Sequence, residues 1–312
     1  MTPAVGVVAR PDLEIGEFVA YARQAERLAF DELWVVEDCF FRGGVAQAAV
    51  ALAKTERIRI GVGVLPAGAR NPAFACLDLA TLAGLFPGRL LVGIGHGMPE
   101  WLRQVGAWPA SPLTLLREYF TTVRAILGGA SVTFDGPAVR LRDVRLQSPP
   151  AVVPPLFAGV RGPKSLAVAR EVADGTILAE PVTPEYLRAV REIVGADHEL
   201  VAYNVAAVDD SPARARALAR PALAAIGEPD WAPHVAPLPF AREFAELRAR
   251  SASREEFAAA LPDDWVDQLA VVGTPADAAV RMATLTAAGA GHVVLIPAGQ
   301  DLVALARVLP YR

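Results

Sequence analysis

One loop in the sequence joins glycine, a basic residue and a following helix in a pattern that can bind an anion. The loop follows a short apolar strand pattern at residues 155–158 and consists of Gly159, Val160, Arg161, Gly162 and Pro163. Free backbone N–H groups at a helix N-terminus, where the helix dipole is positive, attract a phosphate group. The alternative is a strand-to-helix turn that uses glycine for backbone geometry alone. The segment by itself leaves both interpretations open.

Two adjacent carboxylates, Glu37 and Asp38, follow the second strand pattern and could serve acid–base chemistry. Like charges at so short a distance raise the pKa of one partner. Because neighbouring strand residues point to opposite faces, only one of them, Asp38 in our interpretation, faces a cavity, and Glu37 caps a helix. Cys39 comes next; it is either a nucleophile or, as we favour, a small buried residue.

His96 lies between Gly95 and Gly97, directly after the fourth strand pattern. It could act as an acid–base group, a ligand contact or a merely solvated side chain, and we favour a functional role. Glu180 ends the sixth strand pattern. The four histidines of the chain lack the spacing of a metal site. The motifs of α/β-hydrolases and P-loop NTPases are absent as well.

Strand and helix patterns alternate along the chain. Strand patterns occupy residues 5–9, 33–36, 57–64, 90–95, 155–158, 176–179, 200–208 and 292–296. Helical patterns occupy residues 16–28, 45–53, 73–85, 113–127, 184–194, 212–226 and 302–309, and residues 131–141 resemble a hairpin. Eight strands joined by helices predict an α/β fold, a (β/α)8 TIM barrel. The alternative, an open doubly wound sheet, would carry G-x-G-x-x-G after the first strand, where this chain has Arg10-Pro11-Asp12.

Residues 230–272 interrupt this rhythm. They contain several prolines and two tryptophans and show no clear strand pattern. We expect residues 1–312 to form a single domain in which 230–272 is an insertion between strands 7 and 8. A segment of this kind is expected to serve as a lid or as an interface.

The carboxyl ends of the strands are where a barrel of this type does chemistry. Gly63 and Gly95 lie at the ends of strands three and four, which are neighbours, so both would border one cavity. Glycine there lets a flat ligand approach the backbone closely. The alternative is that small residues only ease the closure of the barrel.

The composition excludes several classes of protein. The net charge is −4 and charged residues make up 21% of the chain, which does not favour a nucleic-acid-binding protein. The apolar runs are too short to cross a membrane, and the N-terminus lacks the pattern of a signal peptide. Two widely spaced cysteines, Cys39 and Cys76, are typical of a reduced, cytoplasmic protein.

Four segments carry a family resemblance. They are residues 30–38 (FDELWVVED), 61–66 (GVGVLP) with 70–72 (RNP), 87–89 (PGR) with 93–97 (GIGHG), and 162–165 (GPKS) through 173–175 (ADG). In their order and spacing they resemble the luciferase-like flavin/deazaflavin oxidoreductase superfamily. The resemblance is closest to its coenzyme F420-dependent branch, the methylene-tetrahydromethanopterin reductase-like proteins, and extends over nearly the whole chain.

This resemblance implies a dimeric barrel with the cofactor ring at the strand ends. It places a non-prolyl cis peptide at Gly63–Val64, as a bulge behind the ring. It also places the cofactor phosphate at the loop after the fifth strand, with Arg161 as a partner and Lys164 as a weaker one. The cofactor-binding residues implied are Asp38, Cys39, Gly63, Val64, Leu65, Gly95, His96, Gly159, Val160, Arg161, Gly162, Pro163 and Glu180.

One position departs from the family pattern. F420-dependent members often have Asp-His at the end of strand two, with the histidine at the ring, whereas this chain has Asp38-Cys39. A cysteine cannot replace an imidazole that titrates near neutral pH. The catalytic residues implied are therefore Asp38 and, as the replacement for the missing histidine, His96.

The function implied is hydride transfer between coenzyme F420 and a small organic substrate, by a cytoplasmic homodimer without nucleic-acid or membrane partners. The protein supplies orientation and proton handling. Two alternatives stay open. One is an FMNH2-dependent monooxygenase with FMN on the same barrel, and the other is a catalytically silent flavin-binding protein.

Overall fold

A closed barrel of parallel strands forms the centre of the protein. The computed structural model describes residues 2–38, 40–299 and 302–311. The strands are β1 (Ala4–Ala9), β2 (Glu32–Val35), β3 (Arg59–Pro66), β4 (Leu90–Gly95), β5 (Val132–Asp135), β6 (Arg140–Val144), β7 (Leu156–Gly159), β8 (Gly175–Leu178), β9 (Glu199–Val208), β10 (Val271–Gly273) and β11 (His292–Pro297). Eight of them pair side by side in the order β9-β11-β1-β2-β3-β4-β7-β8, and the β8–β9 pairing closes the ring. The predicted (β/α)8 barrel is confirmed.

Helices surround the barrel. They are α1 (Phe18–Arg27), α2 (Gly44–Lys54), α3 (Pro72–Leu85), α4 (Pro99–Gln104), α5 (Pro112–Leu127), α6 (Pro163–Val172), α7 (Pro184–Val194), α8 (Pro212–Ala219), α9 (Ala232–Val235), α10 (Ala241–Arg250), α11 (Arg254–Ala260), α12 (Asp263–Leu269), α13 (Pro275–Ala287) and α14 (Leu302–Ala306). Many begin with proline, whose missing N–H has no partner to lose at the first helical position. The predicted hairpin is the antiparallel pair β5–β6.

The helix predicted over residues 212–226 is shorter than expected. α8 ends at Ala219 and the chain continues as a 3-10 helix, Arg220–Gly227. Pro221 explains the change, because proline has no N–H to donate to the preceding turn and its ring crowds that turn. α4, after the fourth strand, was not predicted at all; it is only six residues long, too short for a helical period to be evident.

Three aromatic rings fill the barrel interior. Trp34 packs edge to face against Phe157, with ring centroids 6.4 Å apart, and against Tyr203, at 5.7 Å. Gly61 leaves room for this packing, because a Cβ there would overlap the indole of Trp34. A second, larger apolar layer lies between the outer face of the strands and the helices. The rings close the middle of the barrel, so a cavity can open only at its ends.

The chain between β9 and β11 forms an additional apolar cluster. α8 and α10 to α12 pack around Phe244 and Phe257 and against the Val205 and Ala207 side chains of β9. β10 pairs in parallel with β9 outside the ring. Residues 230–272 were expected to contain no strand, and this was wrong at Val271 and Val272, where β10 begins. Three residues are too few to show the alternation that identifies a strand.

No helix in the part of the chain that the structure describes is long and apolar enough to span a membrane.

Candidate active site

A cavity of about 830 Å³ opens at the carboxyl ends of the barrel strands. Nine of the residues predicted to bind the cofactor line it: Asp38, Gly63, Val64, His96, Gly159, Val160, Arg161, Gly162 and Glu180. Cys39 lies outside the described residues. Residues from the ends of five strands therefore meet in one space, of the size that holds a drug-sized ligand.

Three predicted residues do not line the cavity. Leu65 is 2% exposed and belongs to the apolar layer between barrel and helices. Gly95 is buried against the next strand, since a Cβ there would lie 2.7 Å from the carbonyl oxygen of Gly159. Pro163 is exposed and forms the first residue of α6. All three lie at the strand and helix ends where they were expected, but none of them borders the cavity.

Val64 occupies the centre of the cavity floor. The Gly63–Val64 peptide bond is cis, as the resemblance implied, and the pairing of β3 with β4 shifts register between Val62 and Leu65. A Cβ at Gly159 would overlap Cγ1 of Val64, and a Cβ at Gly95 would lie 2.9 Å from Cγ2. The glycines at the strand ends thus make room for the Val64 side chain rather than for a ligand directly. Val64 in turn offers an apolar surface to the cavity.

Glu37 caps α2 as expected, but it lines the cavity together with Asp38, so the expectation that only one of the two faces it was wrong. Both residues follow the end of β2 at Val35, where the alternation of strand side chains no longer applies. Glu37 accepts a hydrogen bond from the backbone N–H of Gly44 at 2.7 Å, which caps α2, and both of its oxygens bind Arg70. The hydrogen bonds to Glu37 raise the pKa of Arg70. Asp38 lines the cavity and forms no ion pair with any described residue. Burial alone raises the pKa of Asp38.

The side chain of His96, which follows β4, lies beside the first turn of α6. Its Nε2 atom is 3.1 Å from Oγ of Ser165, in the first turn of that helix. Burial lowers the pKa of His96, so the imidazole is neutral at neutral pH. His96 therefore faces the predicted phosphate seat and is tied to it through Ser165, which the sequence did not indicate.

The N-terminus of α6 is open towards the cavity. Its N-cap residue, Gly162, forms no side-chain cap, and no atom would lie within 4 Å of a Cβ placed there. The backbone N–H groups of the first turn are therefore available to an anion. Lys164 is exposed and does not line the cavity, so Arg161 is the cation beside this helix end.

Arg161 also contacts the segment after β9. Its guanidinium lies 4.7 Å from the ring centroid of Trp231, and Nη1 donates to the carbonyl oxygen of Asp230 at 3.3 Å. The hydroxyl of Tyr186 donates to the backbone carbonyl of Arg161 at 2.9 Å. These contacts hold the loop after β7 against the cavity wall and leave Arg161 without a carboxylate partner among the described residues.

Glu180 is the second carboxyl group in the cavity that lacks an ion pair. Burial is the main cause that raises the pKa of Glu180; a backbone hydrogen bond and the charge of Arg161 oppose it, and the negative charge of Asp38 adds least to it. The backbone carbonyl of Glu180 accepts a hydrogen bond from the indole N–H of Trp231 at 2.7 Å. Two carboxyl groups with raised pKa values thus share one cavity, which suits them to hold and release a proton.

Tyr203 contributes a hydroxyl group that the sequence did not indicate. The residue is 5% exposed, and its Oη lies against Gly63 without a hydrogen-bond partner. Burial raises the pKa of Tyr203 well above its usual range, so the hydroxyl stays protonated. Tyr203 lies in the middle of β9, and a strand interior carries no signal that would single it out.

Aromatic side chains form two walls above the floor. Trp101 and Trp108, with Met98, come from the stretch after β4, and Trp231 faces the cavity from the segment after β9. Trp101 was expected either to stack on a ring or to fill core; it lines the cavity. No group of three or more potential metal ligands occurs within residues 2–38, 40–299 and 302–311.

Comparisons with known proteins agree with this arrangement. The sequence signature of the luciferase-like monooxygenases matches residues 3–292. The chain is 28% identical to the 5,10-methylenetetrahydromethanopterin reductase of Archaeoglobus fulgidus, over 95% of this chain and 94% of that protein. It is 32% identical to an F420-dependent glucose-6-phosphate dehydrogenase of Beutenbergia cavernae, over 52% of each chain. The coenzyme F420-dependent tetrahydromethanopterin reductase of Methanopyrus kandleri superposes with a TM-score of 0.84 at 18% identity, over 100% of this chain and 98% of that one.

Proposed function

We propose that this chain, which belongs to the luciferase-like monooxygenase family, is an oxidoreductase that uses coenzyme F420 to transfer a hydride to or from a small organic substrate. The observation that carries the proposal is the cavity at the strand ends, with the apolar Val64 on its floor and the open N-terminus of α6 beside Arg161. The names of the relatives support F420 as the cofactor.

The residues present fit a phosphate-bearing deazaflavin. The uncapped N-terminus of α6 and the unpaired Arg161 provide donors and a positive charge for a phosphate. The Oη of Tyr203 is a buried donor that lacks an acceptor on the cavity floor, as a site that awaits a polar ligand group would have. When bound, the deazaflavin supplies the hydride chemistry.

The side chains around the floor handle the proton that accompanies hydride transfer. Asp38 and Glu180 have raised pKa values, through burial in both cases, so each can carry a proton to a substrate oxygen or accept one from it. His96 is neutral and paired with Ser165, and we therefore assign it to ligand binding and not to proton donation. The aromatic walls exclude water from the space between them.

Titration of the purified protein with F420 and with FMN, followed by fluorescence and absorbance, tests the cofactor. We expect F420 to bind and Arg161→Gln to weaken its binding about tenfold, since a charge-assisted contact to phosphate is lost. The phosphate-free deazaflavin should bind both proteins equally. Lys164→Gln removes the same charge outside the cavity and should leave F420 binding unchanged. Tight FMN binding without F420 affinity would instead support the FMN-dependent monooxygenase.

We propose in addition that the protein is a homodimer that pairs through α3. Phe74, Leu77 and Leu85 are 68%, 53% and 67% exposed on one side of this helix. Large exposed apolar side chains grouped on one side of a helix are typical of a protein interface. Size-exclusion chromatography with light scattering should show a dimer, and Leu77→Asp should give monomers. The cytoplasmic location stays a proposal, which fractionation of cells would test.

A further inference from the structure

The charged groups around the cavity restrict what the substrate can be. Two cationic side chains line it, Arg10 and Arg161. Arg10 is already bound by the carboxylate of Asp12 and by the backbone carbonyl of Pro297, at 2.9 Å. Arg161 lies at the N-terminus of α6, where the proposed function places the cofactor phosphate. None of the described residues that line the cavity therefore provides a free cation for an anionic substrate.

Negative groups are in excess in the same space. Four carboxylates line the cavity, and only Glu37 is neutralised, by Arg70. Asp38, Glu180 and Asp230 form no salt bridge within the described part of the chain. Like charges brought together in a partly desolvated pocket repel each other strongly. A phosphate or carboxylate on the substrate would meet this repulsion with nothing to offset it.

The rest of the wall is apolar and held in place. Trp108 lies beneath the guanidinium of Arg103, at 5.3 Å from its ring centroid. Trp231 is held by its hydrogen bond to the Glu180 carbonyl and by the guanidinium of Arg161. Two indoles kept in place on the cavity wall offer faces against which a flat apolar molecule can stack.

We propose that the substrate is a flat, largely apolar molecule without negative charge, bound between the Trp108 and Trp231 walls with its polar atom towards Asp38 and Glu180. The proposal rests on the proposed function, because it assigns Arg161 and α6 to the cofactor. It separates this chain from relatives that act on a phosphorylated sugar, such as the glucose-6-phosphate dehydrogenase described above.

Three ketones of one skeleton test it: acetophenone, the anion 4-acetylbenzoate and the cation (4-acetylphenyl)trimethylammonium. Binding of each is measured by isothermal calorimetry to protein carrying oxidised F420, and to protein without cofactor. We expect acetophenone and the cation to bind about tenfold more tightly than the anion, or better. Equal or tighter binding of 4-acetylbenzoate would overturn the proposal, and so would failure of all three to bind.

Variants locate the cause of the discrimination. The double variant Asp38→Asn/Glu180→Gln should narrow the difference between acetophenone and the anion to about threefold or less, since two repelling carboxylates are gone. Asp230→Asn, at the exposed rim, should narrow the difference between acetophenone and the anion less. This variant provides the test if the double variant does not fold. Glu100→Gln removes a carboxylate from α4 outside the cavity and should change nothing. A difference that persists in both cavity variants would contradict the charge argument.

The two proposals fail in distinguishable ways. F420 affinity is measured separately, by the fluorescence of the cofactor itself. If F420 does not bind but the cofactor-free protein still prefers acetophenone to 4-acetylbenzoate, the F420 proposal fails and the proposed substrate class is retained. F420 binding without discrimination among the three ketones would remove the substrate class alone.

Discussion

At the amino-terminal end of the barrel, the fully buried carboxylate of Glu32 accepts hydrogen bonds from Trp34 Nε1 at 2.8 Å and from His292 Nδ1 at 2.7 Å, and pairs with Arg59 at 2.6 Å. His292 in turn contacts Glu199 at 2.7 Å through its other nitrogen. At the carboxyl end, by contrast, Asp38 and Glu180 line a cavity without any cationic partner of this kind. The same barrel thus pairs the buried charges around Glu32 at one end and leaves Asp38 and Glu180 unpaired at the other.

The pKa values follow from this difference. Burial, the largest influence, would lower the pKa of His292, but its hydrogen bonds to Glu199 and Glu32 outweigh it and raise the pKa to about 9. At the other end, burial without a partner raises the pKa of Asp38 and lowers that of His96. Paired charges stabilise a fold, whereas unpaired ones with shifted pKa values are typical of sites that bind or react. In barrels of this type, residues at the amino-terminal end of the strands contribute to stability, and those at the carboxyl end carry the chemistry.

Glu32→Ala should have the largest effect on stability. It leaves Arg59 and a cationic His292 without their shared partner in a buried place, which costs about 3–5 kcal/mol of the free energy of unfolding. Urea denaturation measures this. The control is Glu171→Ala, which breaks the exposed pair with Arg117 and should leave the free energy of unfolding nearly unchanged. Equal costs for the two variants would remove the distinction between the ends of the barrel.

The pH dependence of stability tests the same network without a mutation. The pKa of His292 is raised from 6.5 to about 9, so its contribution is complete below 6.5 and is lost as the pH rises through about 9. The loss amounts to about 3 kcal/mol. The pKa of Glu199 is lowered from 4.5, chiefly by its hydrogen bond to His292, so its contribution is present above 4.5 and is lost as the pH falls below that value.

Urea denaturation at a series of pH values should therefore show a maximum between about pH 5 and pH 8. In His292→Gln, the decline on the alkaline side should be absent or much smaller. A variant with the same alkaline decline as the natural sequence would mean that another group causes it.

Asp38→Asn tests the unpaired end. The variant removes a buried charge that has no partner, so the free energy of unfolding should stay the same or rise, while kcat falls about 100-fold because a proton carrier is lost. Its neighbour provides the matched comparison: Glu37→Gln loses the ion pair with Arg70, keeps an oxygen that can accept from Gly44, and should lose stability by about 1–3 kcal/mol. A large loss of stability in Asp38→Asn would show that this carboxylate is structural after all.

Gly159→Ala tests the cavity floor. The new Cβ would overlap Val64, so we expect a loss of about 1–3 kcal/mol in stability and weaker cofactor binding. Gly162→Ala, three residues further along the same loop, places its Cβ in open space with an ordinary extended backbone and should leave the free energy of unfolding unchanged. Equal behaviour of the two variants would contradict the role given to Val64.

Local patterns predicted much of this structure. The alternation of strand and helix depends on side-chain periods within each segment, so the barrel and its strand ends were expected from residues such as the apolar run after Glu32. The division between Glu37 and Asp38 was predicted only in part, because both residues follow the end of β2 and both line the cavity. β10 was not predicted, because three residues are too few to show a strand period. The 3-10 helix after Ala219 was not predicted either, because a single proline, Pro221, ends α8 there.

The site was predicted in position but not in its contacts. Nine of the thirteen predicted cofactor-binding residues line the cavity, since strand ends meet in any closed barrel. Ser165 and Tyr203 were missed, because a serine in a helical turn and a tyrosine within a strand are common in sites without chemistry. The use of glycine to make room for Val64 was missed as well, since it depends on contacts between three neighbouring strands.

The amino-acid sequence by itself thus determined the barrel, the strand ends that border the cavity and the loop at α6, because each is set by residues close together in the chain. Only the tertiary structure decided which charges are paired. Glu32 and His292 are 260 positions apart and become partners because β1 pairs with both of their strands as the ring closes. The protonation of a buried group depends on which neighbours surround it, and the closure of the barrel supplies those neighbours.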